Sequence, residues 1–520
     1  MPLVTADTRT ENQALVAAEA IANPPSPRIH GADLRRSLYY IIFAWFFGSF
    51  WLNATTGATA THLARYLGAN DLIFGYLAAA GYLGAIFQLI GSIYTERTGK
   101  VKRIFLWCLT IQRLLYVPVA LLPWVLPAGW RPGALVMVIM LFAASAVGNI
   151  GSPAWTQWMA HLVPARVRGK YFSRRNRVGI MVAAMTAILV GVLLDAARAG
   201  VWQDWLGPIS RWAGMPPLIL MISVLFLVAS AAGVMDIQSF HHVQETVLPH
   251  PAAARGRHEG WAGLKRACQD RSFLWYCLYS SVFTFAIAFS GTFTWVMMLD
   301  LVHHAVRGAW FAAHPNLAVC LMLMLTVNIG QILGYPFWGR LIDRLGCKPV
   351  ILIASTLHSL TLLVWIFIGV RTLNWGFTGA FIAGTAWSAI EIANFNLVLA
   401  ITQRGGSSYQ AILAIVTNVA GLLAGLGAGA FTFWMQRQHI HVRVFGENLT
   451  RYNVLFAVAL GGKCLADYVI LPWVHDPGAK PVRYAIRYIM GNVFGMVNAQ
   501  VLGPVRNVVN ESFRPWRRWR

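Results

Sequence analysis

Gly339-Arg340-Leu341-Ile342-Asp343-Arg344-Leu345-Gly346-Cys347-Lys348 is a charged, glycine-bracketed turn between two long apolar runs of a 520-residue chain. Hydrocarbon tolerates such a stretch poorly, so it belongs at a membrane surface, joining two spanning helices. A degraded copy, Ser92-Ile93-Tyr94-Thr95-Glu96-Arg97-Thr98-Gly99-Lys100, occurs earlier. Two copies of one turn, each set between apolar runs, point to a duplicated helical bundle.

Composition agrees. The chain is 57% hydrophobic and only 12% charged, against about 25% charged in soluble domains. Its mean hydropathy is +0.56. Several runs reach the ~20 residues that cross a bilayer as a helix, so the expected class is an all-α polytopic membrane protein. A net charge of +23 would suggest nucleic acid in a soluble chain. Here the basic residues cluster in loops, where anionic lipid and the positive-inside bias favour them, and no nucleic-acid reader motif occurs. The lipid bilayer, not nucleic acid, is the expected partner. Cys108, Cys268, Cys277, Cys320, Cys347 and Cys464 are scattered without ligand spacing, which predicts neither disulfides nor a metal site. No P-loop and no Ser/His/Asp set is apparent, so no cofactor and no enzymatic activity are expected, and any energy source is a gradient.

Window hydropathy and charged breaks predict about twelve spans. They lie near residues 38–62, 72–95, 103–126, 133–158, 177–197 and 216–236, then 273–300, 317–339, 350–370, 375–401, 410–434 and 452–474. They fall into an N-terminal six-helix bundle at 36–237 and a C-terminal one at 273–475. Residues 1–35 read as a disordered tail without the pattern of a signal peptide. Residues 238–272 read as a linker, and 476–520 as a basic-aromatic tail suited to the inner leaflet. Trp202 to Met215 reads as an interfacial stretch. Loops bearing Arg97, Lys100, Lys102 and Arg103, then Arg166 to Arg177, Arg255 to Arg271 and Arg340 to Lys348, fall on one side with the basic tail. The positive-inside rule puts both termini in the cytoplasm of a multi-pass cell-membrane protein, of the bacterial inner-membrane type.

Gly339, Asp343, Arg344, Gly346 and Lys348 match the pattern Gly-x-x-x-Asp-Arg-x-Gly-x-Lys/Arg position for position. This resembles the loop motif of the major facilitator superfamily of transporters, subfamily unknown. The resemblance covers about residues 35–475. It implies two six-helix bundles related by a pseudo-twofold axis along the membrane normal, with a midplane cavity. It also implies a conformational latch in which Asp343 engages the start of the eleventh span near Ser407 and Ser408. In the first copy Glu96 replaces Asp, Ser92 replaces the leading Gly, Arg97 and Gly99 keep their places, and Lys100 comes one residue early. There Glu96 would reach Ser173 and Asn176. Taken as residues alone, Gly339 permits close helix approach and Gly346 an unusual backbone angle. Arg344 and Lys348 hold the loop at lipid headgroups. A simple basic turn is the alternative. The loop from Arg166 to Arg177 reads mainly as positive-inside charge.

Ionisable groups inside spans mark candidate sites. Glu391 lies near the middle of the tenth span, and Trp387, Glu391 and Asn394 share one helical face. By the superfamily's pattern, spans one, four, seven and ten line the cavity. That adds Asn53 and Thr56, then Asn149, Ser152 and Thr156, then Thr292 and Trp295 as substrate or proton candidates, each with helix packing as its alternative. Lys463 and Asp467 are spaced to pair along one helix and read as structural. Arg113 has no partner identifiable from spacing. The small residues from Gly421 to Gly429 allow close helix packing. The expectation is a monomeric secondary active transporter, symporter or antiporter, moving a small-molecule substrate with protons as the coupling ion. The alternative is a non-transporting receptor or assembly factor on the same fold.

Overall fold

Backbone polar groups in hydrocarbon are satisfied within a helix, and the computed structural model of the chain is built accordingly. It describes residues 31–163, 165–245, 265–304, 310–402, 407–438, 442–444, 447–476 and 479–497. Among these, ten helices are long and apolar enough to cross a membrane, and the bent pair Ala32–Ala54 with Ala58–Tyr66 adds an eleventh. The twelfth is Trp375–Thr402, whose apolar run is interrupted by Thr378, Thr385, Ser388, Glu391 and Asn394.

In chain order the spans are the bent pair; Asp71–Ala85 continued by Gln88–Thr98; Val101–Leu114 with Tyr116–Val125; Arg131–Leu162; Ala165–Ala199; and Pro217–Ser239. The second six are Arg271–His303, Pro315–Leu345, Cys347–Phe367, Trp375–Thr402, Ser407–Arg437 and Arg451–Trp473. The pairings repeat. In the first half the second and third spans pack on the fourth, the third on the sixth, and the first on the fifth and sixth; each pairing recurs six spans later. One short antiparallel strand pair, Val442–Val444 with Glu447–Leu449, joins the last two spans, Val442 opposite Leu449. The fifth helix starts well before the expected 177, because the Arg166 to Arg177 stretch is helical; Arg and Lys are good helix formers.

The first span bends by 42° at Thr55-Thr56-Gly57. Gly57 has φ +68°, and a Cβ there would lie 2.7 Å from the Trp295 ring. Side chains bond carbonyls around the break. Asn53 donates to the Ser49 carbonyl at 2.8 Å and Thr56 to that of Leu52 at 2.8 Å. Thr59 donates to those of Ala54 (2.8 Å) and Thr56 (2.9 Å).

The halves meet along two helix pairs, second with eleventh and fifth with eighth. Small residues make the first seam. A Cβ on Gly75 would lie 2.6 Å from the Gly429 Cα and 2.7 Å from the Gly425 carbonyl, and one on Gly425 would lie 2.8 Å from the Ala79 nitrogen. Backbones this close gain dispersion contact that larger side chains would prevent.

The charged turn is held by contacts within the protein. Lys348 Nζ donates to the carbonyls of Pro472 (2.6 Å) and Val474 (2.9 Å) at the end of the twelfth span. Arg344 donates to the Tyr488 hydroxyl on the C-terminal helix Val482–Val497. Asp476 accepts from the backbone N–H groups of Cys347 and Lys348, both at 3.0 Å, capping the ninth span. The first half repeats the device with Lys102 rather than Lys100. Lys102 Nζ donates to the carbonyls of His241 (2.9 Å) and Val243 (2.7 Å) after the sixth span, while Lys100 is exposed. Gly346 has φ +88°, as the turn requires. Gly339 has no neighbour within 4 Å of a Cβ, so it mediates no close helix approach. Asp343 is exposed. The side chains of Ser407, Ser408, Ser173 and Glu96, most of the linker, the first thirty residues and the final basic stretch lie outside the described residues.

Asp476→Ala should lower stability by about 1 kcal/mol, the usual worth of a helix cap. A tryptophan-fluorescence melting curve in detergent checks it; an unchanged midpoint would show that the cap is dispensable.

Candidate functional site

At the end opposite the basic loops, charged groups bridge the halves. Arg65, closing the first span, binds Asp300 of the seventh at 2.8 Å and donates to the Val296 carbonyl at 3.2 Å. Asp71, buried at the start of the second span, accepts from Arg451 Nε at 2.5 Å and from the Tyr452 hydroxyl at 3.1 Å. Asp195 of the fifth span caps the eighth across the interface. It accepts from the Asn316 backbone (3.1 Å) and side chain (2.9 Å) and from the Leu317 N–H (2.9 Å). His62 Nε2 lies 2.6 Å from Asn316 Oδ1. Trp295, nominated as a cavity residue, packs on the Gly57 break at this closed end.

Toward the basic loops each half presents a pocket. In the first half a cavity of about 430 Å³ is lined by Trp45, Gln112, Arg113, Asn149, Trp155, Arg175 and Asp236, among others. Asn149 and Ser152 line it. Thr156 is exposed one turn on, its hydroxyl donating to the Ser152 carbonyl at 3.3 Å. Arg113 has a partner that sequence spacing cannot reveal. Its guanidinium binds Asp236 of the sixth span at 3.2 Å and stacks 3.4 Å from the Trp51 ring centre. A Cβ on Gly48 would lie 2.5 Å from Asp236, so the glycine makes room for the acid.

In the second half a pocket of about 380 Å³ is lined by Tyr276, Phe283, Trp387, Glu391, Asn394 and Thr417, with others. Trp387, Glu391 and Asn394 therefore do share one wall. Glu391 is exposed on it and accepts from the Tyr335 hydroxyl at 2.7 Å. Behind this wall Lys463 and Asp467 form a wholly buried pair at 2.7 Å. Thr292 is half-buried, donating to its own helix at 3.5 Å. Asn53 and Thr56 lie beside the helix break and are not among the residues that line these two pockets.

The profile of the Major Facilitator Superfamily matches residues 41–425, well over half of the chain. The chain belongs to the major facilitator superfamily. Solved structures share the fold at low identity. A mutant form of the nucleoside transporter NupG superposes with a TM-score of 0.60 at 11% identity, over 84% of this chain and 100% of that one. A D-xylose-proton symporter gives 0.60 at 13%, over 86% and 100%. A bacterial homologue of the human lysosomal transporter Spinster, inward-facing and unoccupied, gives 0.56 at 13%, over 86% and 95%. No curated protein sequence matches the chain. The chain is thus a multi-pass membrane protein of a transporter superfamily, and family and neighbours support transport of a small solute.

Within this superfamily fold, sequence reasoning missed the closing residues Asp71, Asp195, Asp300 and Asn316. The available signal was an acid near the end of three different spans opposite the basic loops, where one carboxylate is costly unless paired.

Proposed function

We propose that the chain is a secondary active transporter that moves a small solute by alternating access, with Glu391 carrying the coupling proton. The observation that carries this reading is the placement of Glu391. It is a carboxylate on the wall of a membrane-embedded pocket, held by one tyrosine hydroxyl and otherwise open. A carboxylate at membrane depth is costly and marks a functional site by default.

With both termini cytoplasmic, the closed end faces outward and the two pockets open inward, so this is the inward-facing state in a cell membrane. The solved structures named above include a nucleoside transporter and a D-xylose-proton symporter, which supports a small solute and a proton as co-passenger.

The test uses the full chain in proteoliposomes containing a pH-sensitive dye, with metabolites added singly outside. A co-transported solute should acidify or alkalise the lumen, and a one-unit pH gradient should concentrate it about tenfold, the equivalent of about 1.4 kcal/mol. Glu391→Gln should abolish gradient-driven accumulation while sparing solute exchange down its own gradient. Normal accumulation by that variant removes Glu391 from coupling. Metabolite binding without flux favours the receptor alternative.

A further inference from the structure

The pocket of the first half holds one more cation than anion. Asp236 is committed to Arg113, and Arg113 also donates to Gln112 Oε1 at 3.2 Å. Arg175, which the sequence places in a basic loop, instead turns into the bundle. Its guanidinium carbon lies 3.9 Å from the Trp45 ring centre and 5.1 Å from that of Trp155. Among the described residues it forms no ion pair with a carboxylate, and its buried Nε has no hydrogen-bond partner. The Arg113 Nε is likewise buried and unpartnered.

An arginine held by its faces can turn its N–H edge to a carboxylate in a two-bond fork. The neighbouring groups complete a recognition surface. Two indoles offer flat apolar area, and the Asn149 amide and Ser152 hydroxyl line the same cavity. Glycines clear the space: a side chain at Gly179 would collide with Trp45, and one at Gly148 with Gln112. A cation on a low-dielectric wall is costly without a counter-charge, and one unit of negative charge balances this one.

We propose that this pocket is an anion subsite of the transport cavity, taking an organic monoanion with its carboxylate on Arg175 and a planar body against Trp45 and Trp155. The proposal rests on the transport reading above and names the substrate class for it. The pocket of the second half carries Glu391, so a bound monoanion and one proton together neutralise the two pockets. This predicts one proton carried per carboxylate.

The probes are 2-naphthoate, its neutral isostere 2-naphthamide, and the cationic 2-naphthylmethylamine, titrated against the detergent-purified full chain by thermal shift. Naphthoate should stabilise the protein at concentrations at least about tenfold below those needed for the other two, the factor expected for a charge-assisted pair. Arg175→Gln should weaken naphthoate by about tenfold or more and leave naphthamide unchanged, with Arg175→Lys intermediate. If Arg175→Gln does not fold, Arg175→Lys and the three-probe comparison on the unmodified chain decide. Naphthamide or the amine binding as well as naphthoate overturns the anion subsite, as does full naphthoate affinity in the arginine variants. Proteoliposome flux separates the two readings. Naphthoate binding with no solute flux overturns transport and keeps the subsite; flux of neutral solutes without preference for the anion keeps transport and overturns the subsite.

Discussion

Asp467→Asn should destabilise the protein by about 3–5 kcal/mol, the cost of leaving one member of a buried ion pair without its partner. Lys463 and Asp467 have no exposed side-chain surface, and they lie in the middle of the twelfth span, where neither can reach water by extending. Lys463 Nζ is saturated. Its three N–H groups have four acceptors within reach: Asp467 (2.7 Å), the Ser355 carbonyl (2.6 Å), the Ser359 hydroxyl (3.0 Å) and the Ser355 hydroxyl. Ser355 in turn donates to Asp467 at 2.5 Å. The cluster ties the ninth span to the twelfth behind the Glu391 wall, as Arg113 and Asp236 tie the third to the sixth on the lining of the other pocket. Asparagine keeps the shape but not the charge, so the ammonium stays buried and unbalanced. Lys463→Met should cost a similar amount by stranding the carboxylate. The double variant Lys463→Met with Asp467→Leu should recover most of the loss, because both charges go together. Denaturant-dependent tryptophan fluorescence reads the series. Single variants within about 1 kcal/mol of the unmodified chain would mean that water reaches the pair and the burial argument fails.

These examples show what the sequence makes legible. The charged turn at 339–348 and the span count follow from composition, because the bilayer penalises charge in a way that local windows detect. Lys463 and Asp467 were recognisable as a pair because helical geometry places residues four apart on one face. Arg113 and Asp236 are 123 positions apart, and Asp195 and Asn316 are 121 apart. Nothing in local spacing joins them, and only the packing of spans brings them together. The same limit applies to Asn53 and Thr56, whose side chains bond carbonyls of their own helix beside the bend. Arg175 is the converse. A run of basic residues conceals a member that turns inward, since composition records charge and not direction. Lys102 was passed over for Lys100 because the motif fixes a spacing, whereas the observed device requires reach to the carbonyls ending the sixth span.

Removing the acids at the closed end should turn the protein outward. Asp71→Asn with Asp195→Asn takes away the carboxylates that receive Arg451, Tyr452, Asn316 and Leu317 across the interface. Hydrogen bonds to a charged group contribute about 1.5–3 kcal/mol each in favourable cases. Only their difference between the two states moves the equilibrium. These bonds join opposite halves, so they exist in the closed-outside state and are lost when that end parts. Losing even about 1.5–3 kcal/mol of that difference shifts the population by about 10–100-fold. A cysteine at Asn53, in a background without the six native cysteines, reports the change. Its reaction with an impermeant maleimide added from the outer side should accelerate by at least tenfold in the double variant. An unchanged rate would assign closure to the small-residue seam instead, where Gly75 meets Gly429 and Gly425 with no room for a side chain. Gly75→Val is then the decisive variant: by wedging the second and eleventh spans apart, it would raise outer labelling even with every acid in place.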